Sequence, residues 1–317
     1  MGKFFKVNGD TLGKQYKDYL SGFYRWDQLK HAEEWVLYPD NLSETVCIDE
    51  VALSDGELYT VVTNGKAKGK KGALIAMVEG TRSEEVGEIL DKMSLGKRLM
   101  VKEVTLDLAQ NMHRLARNSF PSAHIVSDRF HVQQLVLDAL QQMRIAFRWD
   151  AIEEENRKVV QARSKGKVYY PEALPNGDTL KQLLARSRYL LYKAPNKWSA
   201  SQRERADLLF SRYPDLRKAY ELYMMFRNIY ESAHSIEMAT TQLDLWYEKV
   251  EKYQFEPFLS ASNSVKVHQE SILGFFRNRS TNAMAENFNA KVKAFRSVFR
   301  GVKDVGFFIY RLTLLTA

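Results

Sequence analysis

The sequence contains only one cysteine, Cys47, in 317 residues. A single thiol excludes an internal disulfide framework and a zinc site built from cysteines. Cys47 lies in an apolar run, which predicts a buried small side chain and not a reactive thiol. No uncharged apolar run approaches the ~20 residues that span a bilayer, and the opening MGKFFKVNGD lacks the apolar stretch of a secretory signal. We therefore expect a soluble, intracellular protein with no membrane partner.

The composition favours a folded protein with a polyanionic partner. Hydrophobic residues make up 45% and aromatic residues 12% of the chain, which is enough to bury a core and excludes wholesale disorder. The length corresponds to about two domains. Lys and Arg number 47 against 39 Asp and Glu, giving a net charge of +8. This excess indicates either a polyanion-binding surface or a basic, solvated one, and composition alone does not separate the two.

Strand-like and helix-like segments alternate between residues 45 and 148. Runs rich in β-branched residues predict five strands: TVCIDEVAL (45–53), LYTVVTN (58–64), ALIAMVEG (73–80), VKEVTLD (101–107) and AHIVSD (123–128). Turns join the first three, which are therefore predicted to be antiparallel. Helices are predicted over 82–93, over 108–119 and from 129 onward. This order is typical of an α/β fold with antiparallel strands on one side. Residues 1–44 are predicted to be helical.

Residues 149–276 carry no strand signal. Successive helical segments separated by prolines fill this stretch, which predicts an all-helical insertion. A final helix is predicted over 281–299, with Phe288 and Val292 in its apolar stripe. Polar residues recur on its other side: Asn282, Glu286, Asn289, Lys293, Arg296 and Arg300. Eight Lys or Arg and two acids lie between Arg277 and Ala317, so +6 of the net charge is concentrated in this last segment.

Three carboxylates are candidates for chemistry. Asp49 lies inside the first predicted strand and Asp107 ends the fourth, where a buried carboxylate is costly unless it is paired or binds a cation. Glu286 stands on a helix face otherwise made of Asn, Lys and Arg. Such oxygen ligands suit Mg²⁺, and two ions of this kind promote phosphoryl transfer. The alternative interpretation assigns the aspartates to caps and turns, and Glu286 to an ion pair with Lys293.

Four strings, in this order, resemble a known family: TVCIDEVAL, VTLDLAQNM, HIVSDRFHVQQLVLDALQQMR and TNAMAENFNAKVKAFRSVFRGVKDVGFFIYRLTLL. The family is that of the DDE transposases of bacterial insertion sequences, and the ISL-three family is the closest match. The resemblance extends from about Thr45 to the C-terminus and is weakest through the helical middle. SDRFHV and AENFNAKVKAFRSVFRG are its most specific parts.

The resemblance implies a fold and a site. The fold is α/β, with a ribonuclease H-like core (a mixed five-stranded sheet with flanking helices) interrupted by an all-α insertion domain. Its parts are an N-terminal helical segment (1–44), the first part of the core (45–148), the insertion (149–276) and the completion of the core (277–317). The acidic triad falls on Asp49, Asp107 and Glu286, which would hold two Mg²⁺ or Mn²⁺ ions. Asp128 is the rival for the second position, because it also follows a strand.

The function implied by the resemblance is DNA transposition. It consists of metal-dependent phosphodiester hydrolysis at insertion-sequence ends, followed by strand transfer into double-stranded target DNA. A homodimer or larger assembly on DNA is expected, in the bacterial cytoplasm and associated with the nucleoid. Two other functions are compatible with the same core. One is a structure-specific nuclease without strand transfer, and the other is a catalytically inactive, transposase-derived DNA-binding protein.

Basic and amide side chains near the triad are candidate DNA contacts. Those on the final helix are Asn282, Asn289, Lys291, Lys293, Arg296 and Arg300. Lys68 and Lys70 lie in a lysine-rich turn, where phosphate contacts and an ordinary solvated hairpin tip are equally compatible with the sequence. Arg129 and His131 either contact DNA or have structural roles, as a salt bridge and a hydrogen-bonded histidine at the start of a helix.

The N-terminal segment departs from the family pattern. Members usually carry a zinc-binding and helix-turn-helix region there, but only 44 residues precede the first predicted strand. Cys47 alone cannot build a cysteine-based zinc module, so this region is expected to be lacking. Recognition of the element ends is then expected in the helical insertion, in a separately encoded partner protein, or in a part absent from this chain.

Overall fold

The computed structural model describes residues 8–53, 57–67, 70–280, 282–298 and 302–317. The chain forms two compact units. The first comprises Met1–Asp128 and Asn278–Ala317, and the second comprises Arg129–Arg277. The second unit is therefore an insertion in the sequence of the first.

A mixed sheet of six strands forms the centre of the first unit. Its strands are β1 (Trp35–Leu37), β2 (Thr45–Ala52), β3 (Leu58–Asn64), β4 (Leu74–Glu79), β5 (Glu103–Leu106) and β6 (His124–Ser127). They lie in the order β1-β4-β3-β2-β5-β6. The pairs β1–β4, β4–β3 and β3–β2 are antiparallel, whereas β2–β5 and β5–β6 are parallel. This is the predicted ribonuclease H-like α/β core, with one strand more than expected.

The additional strand is β1, which lies in the segment predicted to be helical. That segment does contain helix α1 (Gly9–Gln15) and a π-helical turn at Tyr16–Leu20, but β1 pairs with β4. The Gln28 side chain bonds to β1 through both of its amide atoms. Its Nε2 donates to the Leu37 carbonyl at 3.1 Å, and its Oε1 accepts from the Leu37 N–H at 2.8 Å. Three residues are too few for the alternation that marks a strand in a sequence.

The other described α-helices follow in chain order. They are α2 (Ser83–Leu90), α3 (Leu95–Leu99), α4 (Gln110–Ser119), α5 (Arg129–Ser164), α6 (Leu180–Arg186), α7 (Ala200–Arg212), α8 (Pro214–Ser232), α9 (Ile236–Tyr253), α10 (Glu256–Val267), α11 (Gln269–Asn278), α12 (Ala283–Val298) and α13 (Val305–Thr316). No helix in the described part of the chain combines the length and the apolar character needed to cross a membrane.

Alternating side chains of the strands build one core on each face of the sheet. On one face, Val46 and Ile48 of β2 pack with residues of α2 and α4, including Leu115. On the other face, Val51 of the same strand packs with Phe288 of α12 and with residues of α13. Successive side chains of a strand point to opposite faces, so β2 contributes to both cores. The sheet is therefore covered by helices on both sides.

The second unit is entirely helical in its described residues. Its longest helix, α5, begins at Arg129, so it belongs to this unit over its whole length, whereas the sequence analysis assigns residues up to 148 to the core. Trp246 is fully buried and donates its indole N–H to the Leu222 carbonyl at 3.0 Å. The buried Asp178 accepts hydrogen bonds from Arg205, at 2.9 Å, and from Arg186. Buried charges are stable only when paired in this way.

Replacing Leu115 with alanine tests the core between α4 and the sheet. Leu115 is fully buried, so Leu115→Ala should lower the free energy of unfolding by about 2–5 kcal/mol, measured by urea denaturation. Arg117 lies on the exposed side of the same helix. Arg117→Ala is the matched control, with an expected change of no more than about 0.5 kcal/mol. Equal losses in the two variants would contradict this packing of α4.

Candidate active site

Three aspartates lie in one row that crosses the middle of β2 and the ends of β5 and β6. The parallel ladders pair Cys47 with Thr105, and Thr105 with Val126. Two residues further along each of these segments is an aspartate: Asp49, Asp107 and Asp128. Because side chains alternate along a strand, these carboxylates share the face of the Cys47 thiol. The carboxyl ends of parallel strands are where α/β proteins place their ligands.

Asp49 is half-buried and is held by a residue of α12. Its Oδ2 accepts a hydrogen bond from Asn289 Nδ2 at 2.8 Å, and its Oδ1 accepts from the Glu50 N–H at 2.8 Å. Asn289 Nδ2 also lies 3.2 Å from the Glu50 carbonyl, to which it donates. One amide group therefore ties α12 to both the side chain and the backbone of β2.

Asp107 is also half-buried and adopts an Asx turn. Its Oδ1 accepts from the Ala109 N–H at 2.8 Å, and His113 Nε2 lies 3.1 Å from its backbone carbonyl. These bonds fix the carboxylate just beyond the end of β5. Within the described residues its Oδ2 has no hydrogen-bond partner, which leaves that oxygen available to a ligand.

Asp128 has a different environment, because its side chain is only 2% exposed. Its Oδ1 accepts from the backbone N–H of Asn282, the residue before α12, at 3.2 Å. Asn282 itself is fully buried. The first N–H groups of a helix have no partner within the helix, so the Asp128 carboxylate stabilises the start of α12. Of the two rivals for the second position, Asp107 is the more accessible.

Glu50 is a carboxylate that the sequence analysis missed. Burial raises the pKa of Glu50 above its ordinary value, and the negative charges of Asp107 and Asp49 raise it further. The negative charges of Asp49 and Asp107 therefore both act on Glu50. The consecutive Asp-Glu pair inside a predicted strand is the signal that could have revealed this residue.

Cys47 has no part in nucleophilic chemistry. It is buried, as predicted. Burial raises the pKa of its thiol to about 12, and the charges of Asp128, Glu103 and Asp49 act in the same direction. The side chain is therefore a neutral thiol at physiological pH.

Glu286 lies on α12 three residues before Asn289, so the two side chains share a face of the helix. Glu286 is exposed, whereas Asn289 is half-buried against β2. Among the described residues, no group of three or more His, Cys, Asp or Glu is arranged to hold a metal ion. Asp49 and Asp107 each offer carboxylate oxygens, the type of ligand that hard divalent cations prefer.

The predicted DNA contacts on α12 fall into different environments. Lys293 and Arg296 follow Asn289 at i+4 and i+7 and share its side of the helix. Lys291 lies five residues after Glu286, which turns it about 140° away around the helix. Asn282 is buried and is not available to DNA. Arg300 lies outside the described residues.

The remaining predicted contacts lie in other elements. Lys70 is exposed in the turn between β3 and β4, and Lys68 lies outside the described residues. In the second unit, Arg129 lies 3.9 Å from a carboxylate oxygen of Glu231, with its guanidinium 5.5 Å from the Tyr230 ring. Arg129 therefore has the structural ion pair that the sequence left open as an alternative to a DNA contact. His131 is half-buried, and its ring centre lies 5.6 Å from that of Phe130.

Comparisons with known proteins confirm the predicted family. The family model of the ISL-three type of DDE transposase, described as "Transposase", matches residues 46–312. No match is found among curated proteins. Among solved structures, the "Drosophila P element transposase strand transfer complex" is similar at 10% sequence identity and a TM-score of 0.34, over 98% of this chain and 86% of that chain.

The raised pKa of Glu50 predicts a pH-dependent gain in stability when its charge is removed. An acid whose pKa is raised by folding destabilises the native state as the pH rises above its unfolded value of about 4.3. Glu50→Gln should therefore raise the melting temperature at pH 7, and the gain should shrink towards pH 4. Thermal denaturation followed by circular dichroism measures it. Glu88→Gln, at an exposed position of α2, should show no such trend. If the gain in melting temperature of Glu50→Gln did not change with pH, the charge of Glu50 would not be its cause.

Because Asn289 contacts Asp49, we expect substitutions on its side of α12 to lower stability more than substitutions on the exposed side. Asn289→Ala removes two hydrogen bonds from a half-buried carboxylate and carbonyl, which should cost about 1–3 kcal/mol in the free energy of unfolding. Asn287 is exposed two residues earlier on the same helix. Asn287→Ala should change stability by no more than about 0.5 kcal/mol. If both variants unfold at the same urea concentration, α12 is not held through this amide.

Proposed function

The chain belongs to the ISL-three family of DDE transposases, and from this premise we propose that it cuts DNA at insertion-sequence ends and joins the freed ends to target DNA. The observation that carries the proposal is the parallel pairing of Cys47 with Thr105, because Asp49 and Asp107 each follow two residues later on these neighbouring segments. Two carboxylates placed in this way would form a site for divalent cations, which in turn bind phosphate groups. DNA is accordingly the proposed substrate.

Asp49, Asp107 and Glu286 are the proposed holders of two Mg²⁺ or Mn²⁺ ions. When bound, such ions lower the pKa of an attacking water and neutralise charge on the scissile phosphate. The protein's own contribution is orientation. Asn289 holds one oxygen of Asp49, and the Asx turn holds one oxygen of Asp107. We include Glu286 among the proposed metal ligands because it shares a helix face with Asn289, which contacts Asp49. The proposal therefore requires the Glu286 carboxylate to come close to Asp49 and Asp107.

Lys293 and Arg296 are the proposed contacts for the DNA backbone. Neither forms a salt bridge within the described residues, so their charges are available to phosphates. They lie on the side of α12 that carries Asn289 and Glu286, which would bring a phosphate backbone alongside the carboxylates. A dimer or larger assembly on DNA is proposed because two element ends must be joined in one reaction. Recognition of the ends is assigned to the helical unit or to a separate partner protein.

The competing function is DNA binding without catalysis. The observation that favours it is that the described residues contain no group of three carboxylates arranged around a metal site. A protein of this kind would bind DNA with a strong salt dependence and without any requirement for a divalent ion. Cleavage in the presence of Mn²⁺ therefore separates the two functions directly.

Replacing Asp49 with alanine tests the proposed catalysis. With a plasmid that carries the element ends, Asp49→Ala should reduce Mn²⁺-dependent cleavage and strand transfer at least about a thousandfold, as expected for a residue of an interdependent catalytic set. DNA affinity should be unchanged or higher, because the substitution removes a negative charge near the phosphates. Asp207→Ala, at an exposed position of the helical unit, is the control and should retain activity. Retained cleavage by Asp49→Ala would refute the assignment of the site.

A further inference from the structure

The first unit contains a cavity whose lining includes none of the three aspartates of the row. Its volume is about 480 Å³, within the range of pockets that hold small ligands. One wall comes from the end of α1 and the residues after it, and the other from α13 and the residues just before it. The residues that matter for its chemistry are Lys14, Lys17, Tyr24, Lys303, Phe307 and Arg311.

Two of the cations hold the aromatic wall in place. Lys17 forms an ion pair with Asp304, and its ammonium lies 5.0 Å from the Phe23 ring and 5.7 Å from the Phe307 ring. The Arg311 guanidinium lies 5.9 Å from the Phe307 ring. Cations at these distances are attracted to the faces of aromatic rings. Phe307 is therefore fixed in orientation, and its ring is a rigid part of the wall.

The other two cations are available to a ligand. Lys14 and Lys303 are exposed, and neither forms a salt bridge with any described residue. Both acids of the pocket already have partners. Asp304 binds Lys17 and accepts from the Phe307 N–H at 2.9 Å, while Asp18 accepts from the Tyr24 hydroxyl at 3.2 Å. The pocket therefore combines an apolar aromatic wall with a surplus of positive charge, and it favours a ligand that has both a flat ring and an anionic group.

We propose that this pocket binds one unpaired nucleotide of a DNA strand. The base would stack on Tyr24, which is 57% exposed, beside the wall that contains Phe307, with its phosphate at Lys14 and Lys303. Stacking of bases on aromatic side chains is tolerant of sequence, because every base has a flat face. A paired base is stacked inside the duplex and cannot enter. The site therefore selects single-stranded or frayed DNA, an inference that rests on the proposed function in taking DNA as the ligand.

The test is binding of short labelled oligonucleotides to the full chain in EDTA, so that cleavage has no influence. Tyr24→Ala should weaken binding of a short oligothymidylate by about tenfold and leave binding of a duplex within about twofold. An abasic strand of the same length should bind the native protein weakly, with no further loss in Tyr24→Ala. Tyr19→Ala is the control, since Tyr19 is 83% exposed nearby but does not line the pocket. Equal losses for single strand and duplex, or none, would overturn the proposal.

Charge reversal tests the phosphate position. Lys14→Glu combined with Lys303→Glu should weaken single-strand binding more than Lys30→Glu combined with Lys71→Glu, which changes the net charge equally at exposed positions outside the pocket. Similar losses in the two double variants would show that only general electrostatics operates. Competition by polyglutamate as strong as by the oligonucleotide would identify a general anion site and would also overturn the proposal.

Failure of the proposed pocket and failure of the proposed catalysis give different results. Single-strand binding that depends on Tyr24 in a protein without Mn²⁺-dependent cleavage would support the pocket and refute the catalytic proposal. Cleavage that persists with no effect of Tyr24→Ala on single-strand binding would refute the pocket alone.

Discussion

The parallel pairing of β5 with β2 on one side and with β6 on the other sets the positions of the three aspartates in the candidate site. Along β2, Val46 and Ile48 face one core while Cys47 and Asp49 face the other side of the sheet. A slip of one residue would exchange the two faces. It would place the Asp49 carboxylate in an apolar core, where an unpaired charge is strongly unfavourable. The apolar pattern of the strand therefore sets the register, and the row of aspartates follows from the packing.

A second constraint is a hydrogen bond between the two chain segments that flank the inserted unit. The insertion begins at Arg129 and ends at Arg277, and the hydrogen bond from the Asn282 N–H to Asp128 joins the two flanks within the first unit. The entropic cost of closing a loop rises only slowly with its length, so a long insertion is tolerated when its flanks are held. Asp128 thus stabilises the start of α12, and Asn289 on that helix is then available to bind Asp49 across 240 residues of sequence.

The sequence predicts those parts of the fold whose signals are local. Strands β2 to β6 have enough β-branched residues to be recognised, and their order already indicates a mixed α/β sheet. Strand β1 is too short for such a signal and depends on Gln28 and on its pairing with β4. The residue pattern marked Asp49, Asp107 and Glu286 as candidates, and the resemblance to transposases joined them into a triad, because they lie too far apart in the sequence to form a local motif.

The contacts of the site are the part that local patterns do not contain. Asn289 and Asn282 have similar positions in the helical pattern and were both predicted to contact DNA. Asn282 is buried at the start of α12, while Asn289 binds a carboxylate on β2. The difference depends on which elements pack against each turn of the helix. Glu50 was missed for the same reason, since its raised pKa arises from burial and from Asp107 on another segment.

Asp49 is held by the neutral amide of Asn289 and not by a charged side chain, which affects the net charge of the site. A lysine at position 289 would donate a stronger hydrogen bond, because charged donors bind carboxylates about twice as strongly as neutral ones. It would also cancel the negative charge that a cation requires. Asn289 orients the carboxylate through a neutral donor, so the charge of Asp49 is retained. The basic side chains of α12 lie further along the helix at Lys293 and Arg296, where neither forms a salt bridge with a described residue. The negative charge of the proposed metal ligand Asp49 on β2 and the positive charges of the proposed phosphate contacts on α12 are thereby kept apart, without neutralising each other.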